Sequence, residues 1–419
     1  MSGSPLKERT PARSTRPETA KGSPASGGEP MARAPEDVAA AIGDALQTID
    51  ANMAPFATLF PEDTTVGGTY PLRKRPGTPD GSNIGWTTSF WPGMLWLAYQ
   101  LTGETRYRDA AQGFVPSFAR RLDERVDLDT HDLGFLYTLS CVVPWRLTGD
   151  TDARDAALRA ADQLMTRYLA PVGIIQAWGD LRKPQQRGRA IIDSLMNTPL
   201  LYWASSQTGD ARYARAAGRH AQLLRDHVLR AEGSTFHTFF WDPETGAPLR
   251  GATEQGHADD SCWARGQAWA IYGFAINYRL SGNVQLLDAS RRCADYFIRH
   301  LPADRVPYWD LALTDGAGEP RDSSAAAIAS TGLMELARVL DGDADGDAAD
   351  GYRREAMGIL GGLISGYATG GATGGRPLIE RGVYDAPKNI GVNEGNLWGD
   401  YFYLESLVRM AEPDWVSFW

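Results

Sequence analysis

The most regular pattern in the chain is an apolar helical run, a glycine stop, and then a more polar, amphipathic run. It is clearest at residues 91–111, where apolar positions precede Thr102 and Gly103 and charged positions are interspersed with apolar ones after them. A glycine after the first run supplies a left-handed helix cap, and an acidic residue or asparagine beside it starts the next helix. The pattern predicts a helical hairpin whose first helix is the more buried one.

The same order returns along the chain, with stops at Gly149, Gly209, Gly282 and Gly342. A sixth apolar run, residues 401–410, has no partner after it, but the amphipathic run at 34–56 can supply one. The spacing is too irregular for an open solenoid of identical repeats. Six such hairpins predict an all-α fold, an (α/α)6 barrel with the apolar helices inside, as one catalytic domain spanning 34–419. Another all-α array is the alternative.

Residues 1–33 contain almost no large apolar residue, so they are predicted to be a disordered tail. They lack the apolar core of a secretory signal, and no apolar run in the chain is long enough to cross a bilayer. The three cysteines have no metal-ligand or redox spacing and fit buried thiols in a reducing compartment. We therefore predict a cytoplasmic location.

A formal net charge of -10 over 419 residues argues against a nucleic-acid surface, and there is no basic stripe with interleaved aromatic residues. We therefore expect neither nucleic acid nor membrane as a partner, and a monomer or homodimer. No P-loop or dinucleotide fingerprint occurs, and the histidines lack metal-ligand spacing, so no cofactor and no metal are expected.

The most unusual stretch is residues 259–274, in which two acids and Ser261 precede a cluster of aromatic and polar residues. Ser261 is expected to cap a helix that continues to about residue 278. A capped core helix explains the apolar second half. The first half is more typical of a wall that contacts a ligand, and its members are Trp263, Arg265, Gln267 and Trp269.

In such a barrel the loops before the inner helices share one face, so polar residues at those positions are candidates for a site. Asp132 and Asp193 each directly precede a strongly apolar run, which raises a carboxyl pKa and suits a proton donor. Trp86 and His131 lie at equivalent positions, where helix capping does not explain them. Paired acids with aromatic walls are typical of glycosidic-bond chemistry, and the helix N-termini with Arg265 favour an anionic ligand.

Several motifs resemble those of the unsaturated glucuronyl hydrolases, glycoside hydrolase family 88. Besides the stretch 259–274 they are His-Asp-Leu-Gly-Phe at 131–135, Ile-Asp-Ser-Leu-Met-Asn at 192–197, Arg-Asp-Ser-Ser-Ala at 321–325 and Trp-Gly-Asp-Tyr-Phe-Tyr-Leu-Glu at 398–405. They run in order from about residue 86 to 419. The resemblance implies an (α/α)6 barrel, in agreement with the repeats. It also implies removal of a 4,5-unsaturated glucuronate from the non-reducing end of oligosaccharides made by polysaccharide lyases.

The resemblance further implies that Asp193 is the general acid/base and Asp132 the second essential carboxylate. Asp193 would protonate C4 of the vinyl ether, water would add at C5, and the hemiketal would open and release the rest of the sugar. Asp132 would bind ring hydroxyls and keep Asp193 protonated through like-charge proximity. The residues that match substrate-binding positions are Trp86, His131, His237, Gln255, Trp263, Arg265 and Trp269.

One segment departs from the family pattern. Members that favour sulfated glycosaminoglycan fragments carry Ser-x-x-Ser-x-Lys before the last inner helix, and Asp385, Lys388 and Ile390 stand at those positions here. Asp385 would repel a sulfate and Ile390 offers it no hydrogen bond, although Lys388 partly compensates. We expect Asp385 and Lys388 to contact substrates that are unsulfated or differently decorated.

Three other functions fit parts of the pattern. An unsaturated rhamnogalacturonyl hydrolase would use the same fold and chemistry on a different disaccharide. A sugar epimerase on the same barrel would rely on paired catalytic histidines. A non-catalytic carbohydrate-binding barrel would not need both Asp132 and Asp193.

Overall fold

The computed structural model describes residues 36–314, 318–342, 345–371 and 373–419. The predicted tail, 1–33, and the first two residues of the predicted helix 34–56 lie outside the described residues. The first helix, α1, spans Glu36–Met53.

Six inner helical segments form a closed ring in which each contacts the next, and the last returns to the first. The second segment is composite, because α5 and α6 are joined by a π-helical turn at Thr138–Val142. The segments are α2 (Phe90–Thr102), α5 (Leu133–Tyr137) with α6 (Val143–Thr148), α8 (Thr198–Thr208), α10 (Ala264–Ser281), α12 (Ser323–Gly342) and α14 (Leu397–Ala411).

Five outer segments each follow an inner one, and α1, which packs against α14, is the sixth. The other outer helices are α3 (Thr105–Gln112) with α4 (Val115–Asp123), α7 (Thr151–Met165), α9 (Ala211–His227), α11 (Val284–Arg299) and α13 (Gly346–Gly366). The inner helices are the more buried, as α10 illustrates: its residues 264–277 are all buried. This arrangement confirms the predicted (α/α)6 barrel.

The predicted glycine stops are seen at four hairpins. Gly103, Gly149, Gly209 and Gly282 all have positive φ, and each donates its N–H to the carbonyl four residues earlier. Gly342 is instead the last residue of α12. Because a glycine ends the inner helix and an outer helix starts directly after it, the short connections lie at one end of the barrel and the long ones at the other.

Within the described residues, the long connections carry three small antiparallel sheets around the N-terminal ends of the inner helices. They consist of β1 (Tyr168–Leu169) with β2 (Ile174–Ile175), β3 (Arg189–Ile191) with β4 (Thr238–Trp241) and β5 (Pro248–Ala252), and β6 (Gly382–Asp385) with β7 (Ile390–Glu394). In the described part of the chain, no helix is long and apolar enough to span a membrane.

Candidate active site

A cavity of about 460 Å³ opens among the long connections, at the N-terminal ends of the inner helices. It brings together every predicted site residue except Gln267. These residues are Asp132, Asp193, Trp86, His131, His237, Gln255, Trp263, Arg265, Trp269, Asp385 and Lys388.

Two neighbouring segments carry the paired carboxylates. Asp132 directly precedes α5, and Asp193 lies in a 3-10 turn directly after β3. Gly134 lets the two segments approach, because a Cβ on it would lie 2.2 Å from the Cα of Asn197. The side-chain oxygen of Asn197 also accepts a hydrogen bond from the Phe135 N–H, at 2.7 Å. These contacts between the two segments that follow the acids therefore fix the positions of Asp132 and Asp193.

His131 lies between the two carboxylates. Its Nε2 is 2.9 Å from Asp193 Oδ1 and 3.3 Å from Asp132 Oδ1. Thr130 donates its hydroxyl to the other oxygen of Asp132 at 2.8 Å. The three groups thus form one hydrogen-bonded system at the wall of the cavity, with the imidazole as its bridge.

Charge and burial shift the pKa of two members of this system. Burial alone would lower the pKa of His131, but the carboxylates of Asp132 and Asp193 outweigh it and raise that pKa above the ordinary value. Burial raises the pKa of Asp132, the Asp193 carboxylate adds to the effect, and His131 opposes it. The two carboxylates therefore favour the protonated form of the imidazole that lies between them.

The same three side chains have the spacing of a metal site, since one ligand atom from each lies within 4.8 Å of the others. A metal ion would bind His131 only after displacing its proton, because imidazole ligates metals in the neutral form. The raised pKa of His131 opposes that exchange.

His237 sits beside this system because β3 pairs with β4 and the Ile192 N–H donates to the His237 carbonyl at 3.0 Å. The backbone N–H of Glu254 donates to His237 Nδ1 at 3.0 Å, so Nδ1 is an acceptor and the proton is on Nε2. Nε2 is buried and has no hydrogen-bond partner among the described residues. Burial lowers the pKa of His237 to about 3. The ring is therefore a neutral hydrogen-bond donor at the edge of the cavity.

Arg265 anchors the β6–β7 hairpin to the barrel. Its guanidinium donates to the carbonyl oxygens of Val383 and, at 2.7 Å, of Tyr384. It also pairs with the buried carboxylate of Asp322 at 3.5 Å and lies 4.4 Å from the ring of Trp263. The resemblance places Arg265 near anionic parts of the substrate; in the structure most of its hydrogen-bonding capacity holds the hairpin.

The aromatic wall continues onto that hairpin. Trp86 Nε1 donates to the Tyr384 hydroxyl at 3.1 Å, and the Trp86 ring stacks on Trp398 with 5.2 Å between centroids. Gln255 Nε2 donates to the Tyr384 carbonyl at 3.1 Å, which leaves the Gln255 oxygen as an acceptor for a ligand. Tyr384 thus ties together three sides of the cavity.

The predicted rim residues form an ion pair. Lys388 Nζ is 2.7 Å from Asp385 Oδ2, and the Lys388 N–H donates to Asp385 Oδ1 at 3.2 Å. The Asp385 side chain is 5% exposed and that of Lys388 is 57% exposed. Ile390 lines the same cavity with an apolar side chain. The lysine charge at this rim is therefore largely compensated.

The structure does not bring Gln267 to the cavity. Its amide is completely buried and is satisfied by Thr235 and by the carbonyls of Gly233 and Cys293. At 100° per residue, Gln267 lies about 200° around α10 from Arg265 and from Trp269, which share the cavity face. This helical periodicity could have excluded Gln267 from the cavity face, but the sequence analysis interpreted the whole aromatic and polar cluster as one wall.

The predicted cap of α10 also differs. The helix begins at Ala264, and Ser261 Oγ donates to Asp310 at 2.6 Å instead of capping it. The sequence prediction also missed four cavity residues, Trp178, Ile191, Glu254 and Tyr384. Glu254 and Tyr384 adjoin predicted residues, whereas Trp178 lies alone in the loop between β2 and β3 without a local signal.

Comparisons with known proteins agree with this geometry. The chain matches the model of Glycosyl Hydrolase Family 88 over residues 68–335. It is 43% identical over 385 residues to the unsaturated chondroitin disaccharide hydrolase of Streptococcus pneumoniae, covering 92% of this chain and 94% of the relative.

Two solved structures are also similar. The crystal structure of unsaturated glucuronyl hydrolase from Bacillus sp. GL1 has a TM-score of 0.85 and 42% identity, covering 90% of this chain and 97% of that one. A mutant of the Streptococcus agalactiae unsaturated glucuronyl hydrolase, complexed with dGlcA-GalNAc6S, has a TM-score of 0.79 and 40% identity, covering 91% and 93%. The chain therefore belongs to glycosyl hydrolase family 88 and is a glycosidase.

Proposed function

We propose that this enzyme, an unsaturated glucuronyl hydrolase of glycosyl hydrolase family 88, removes the 4,5-unsaturated glucuronate that polysaccharide lyases leave at the non-reducing end of oligosaccharides, including those from glycosaminoglycans. The observation that carries the proposal is the carboxylate pair, bridged by His131, in a cavity walled by tryptophans. The similarity to an unsaturated chondroitin disaccharide hydrolase, and to an unsaturated glucuronyl hydrolase complexed with dGlcA-GalNAc6S, supports the same substrate class.

The reaction is a hydration in which Asp193 exchanges one proton. Asp193 donates its proton to C4, the C4=C5 double bond is lost, and positive charge is shared between C5 and the ring oxygen. Water adds at C5 and returns a proton to Asp193, which leaves a hemiketal at C5. The bond between C5 and the ring oxygen then breaks, giving a ketone at C5 and a hemiacetal at C1 that releases the remaining sugar.

The neighbouring groups position Asp193 and the sugar. His131 Nε2 lies 2.9 Å from Asp193 Oδ1 and fixes the orientation of that carboxyl group. Asp132, whose pKa is raised, contacts ring hydroxyls. His237 donates from its neutral Nε2 to a substrate oxygen, and the Gln255 carbonyl accepts from a hydroxyl. The rings of Trp86 and Trp269 pack against the planar unsaturated sugar.

The rim supports a preference for unsulfated or differently decorated substrates. Asp385 is nearly buried and already holds the Lys388 ammonium, so a sulfate approaching this rim meets a compensated lysine and an apolar Ile390. Hydroxyl groups are compatible with such a rim, because they need no net positive charge. The proposed preference concerns the sugar that leaves, not the unsaturated uronate.

The cysteine chemistry supports the proposed cytoplasmic location. Cys141, Cys262 and Cys293 are free and buried. Burial raises the pKa of Cys141 and of Cys262 to about 12, which keeps these thiols protonated and unreactive. Thiols of this kind are typical of proteins in a reducing compartment.

Light scattering of the purified enzyme tests whether it is a monomer or a homodimer.

Replacement of Asp193 by asparagine tests the assigned acid. The variant is expected to lose at least about a hundredfold in kcat, because an amide cannot donate the proton to C4. The assay follows the ultraviolet absorbance of the conjugated uronate, which disappears on hydration. Asp152→Asn, an exposed aspartate on the outer helix α7, is the matched control and keeps wild-type turnover. Near-wild-type turnover by a folded Asp193→Asn variant contradicts the assignment.

A further inference from the structure

Residues 415–419 enter the barrel at the end opposite the active site. Arg146 and Arg279 lie in the last turns of α6 and α10, and they hold the backbone of this segment. Arg146 donates to the carbonyls of Ser417 and Phe418 at 3.0 and 3.1 Å, and Arg279 donates to the Trp419 carbonyl at 2.7 Å. Two guanidinium groups from different inner helices therefore fix where the segment enters.

The Trp419 side chain reaches far into the barrel axis. Only 3% of Trp419 is exposed, and its Nε1 donates to Glu405 Oε2 at 3.0 Å. Its ring stacks on Phe402 with 5.9 Å between centroids and an interplanar angle of 19°, and it meets Phe135 edge-on at 5.7 Å. The indole is thus held at its backbone, at its N–H and on its face.

The two phenylalanines that rest on Trp419 also support the cavity wall. Phe135 packs against Trp86 at 5.6 Å and against Trp269 at 5.2 Å. Phe402 packs against Trp269 at 5.2 Å. Phe135 follows Asp132 by three residues on the same helical turn. One layer of rings therefore separates Trp419 from the surfaces that face the sugar.

A second cavity, of about 490 Å³, lies on the other side of this indole and is lined by Phe418, Trp419 and the ends of α6, α8 and α10. Trp419 therefore lies between this second cavity, which it lines, and the ring layer formed by Phe135 and Phe402. Trp419 forms part of the partition between the two cavities.

We propose that Trp419 is a positioning residue for substrate binding: it supports Phe135 and Phe402 from below and so fixes the planes of Trp86 and Trp269. It touches no substrate atom. Its effect is on the aromatic surface that binds the flat unsaturated ring, whereas Asp193 stands on a separate 3-10 turn. Removal of the indole is therefore expected to weaken substrate binding more than it slows proton transfer.

The test compares kcat and KM for an unsaturated disaccharide in four forms of the full-length enzyme. Trp419→Ala is expected to raise KM about tenfold and to change kcat less than about threefold, because the aromatic contacts that support Phe135 and Phe402 are lost. Trp419→Phe keeps a ring against Phe402 and stays within about twofold of wild-type KM. Trp415→Ala is the matched control, because Trp415 packs on Phe418 and Arg409 in the same segment.

Free indole added to Trp419→Ala is expected to occupy the vacated space and bring KM back toward the wild-type value, as apolar cavities take up matching apolar ligands. If the alanine variant does not fold, Trp419→Leu replaces it and is expected to raise KM relative to Trp419→Phe.

The inference is overturned if KM of the folded alanine or leucine variant matches that of Trp419→Phe, or if Trp415→Ala raises KM equally. The role proposed for Trp419 rests on the proposed function of the cavity that contains Asp193. Failure of that function is distinguishable, because the wild-type enzyme would then not turn over the disaccharide at all.

Discussion

Replacing Asp385 with asparagine removes one negative charge from the rim of the active site with little change in shape. The asparagine oxygen can still accept the hydrogen bond that the Lys388 N–H makes to Asp385 Oδ1 at 3.2 Å. The ion pair between Asp385 and the Lys388 ammonium, at 2.7 Å, is lost. The substitution therefore frees the lysine charge while the turn that presents it is retained.

The size of the effect follows from Coulomb's law. A sulfate about 6 Å from one unit charge, at an effective dielectric constant of about 20, experiences roughly 3 kcal/mol. In the wild type the charges of Asp385 and Lys388 largely cancel at that distance. In the variant only the lysine attraction remains, and its 57% exposure reduces it by solvent screening. We expect about 1.5 kcal/mol, or about a tenfold gain in kcat/KM for a sulfated substrate relative to its unsulfated counterpart.

The assay uses two unsaturated disaccharides that differ only by a sulfate on the leaving sugar, and it reports the ratio of their kcat/KM values. Asp385→Glu keeps the charge and is expected to keep the wild-type ratio. Lys388→Met is expected to lower the ratio. A ratio for Asp385→Asn within twofold of wild type, in a folded enzyme that is active on the unsulfated disaccharide, refutes the role assigned to this rim.

Three further predictions concern the histidines. His237→Phe is expected to lower kcat/KM about 10–100-fold, since one buried hydrogen bond to the substrate is lost. Because burial lowers the pKa of His237 to about 3, titration of this ring is not expected to change kcat/KM above pH 5. A pH dependence above pH 5 that disappears in His237→Phe would contradict the neutral state of the ring. Burial lowers the pKa of His220 to about 3, so between pH 6.5 and 3 the unfolded chain binds a proton that the folded chain does not. In this range His220 therefore lowers the free energy of unfolding by about 1.4 kcal/mol for each unit by which the pH falls. His220→Gln is expected to make the decline of the urea-unfolding free energy with falling pH shallower by that amount, and an unchanged slope argues against a neutral buried ring. Chelation with EDTA is expected to leave turnover unchanged, because a metal ion would have to displace the proton that Asp132 and Asp193 favour on His131. Loss of turnover that zinc or magnesium restores would assign these groups to a metal instead.

Local signals predicted most of the architecture. Four helices end at a glycine whose own backbone has positive φ: Gly103, Gly149, Gly209 and Gly282. Because this effect is local, it predicts the end of a helix whatever the surrounding tertiary structure. The prediction for Ser261 failed because a distant segment competes for it. Trp263 pairs with Asp310 in a β-bridge, and the Asp310 carboxylate binds the serine hydroxyl. A chain read residue by residue gives no indication of such a partner.

The active site shows the same division. Asp132 and Asp193 could be found from the apolar runs that follow them, but the bridge between them depends on how closely two loops approach around Gly134. The anchoring role of Arg265 depends on carbonyl groups of Val383 and Tyr384, more than a hundred residues away. Trp178 reaches the cavity only through the fold of its loop. Residue identity indicated the chemistry, and tertiary contacts decided which side chains are available to it.

The closure of the ring by α14 against α1 and α2 has a consequence for how the molecule forms. Helices at residues 90–102 and 397–411 must meet before the inner ring is complete, and contacts of such sequence separation are formed late and slowly. During synthesis, five apolar inner helices leave the ribosome before the sixth exists to cover them. Emerging chains therefore expose aggregation-prone apolar surface for most of translation. The yield of folded enzyme is expected to depend on chaperone supply and temperature more strongly than the free energy of unfolding of the folded enzyme would indicate.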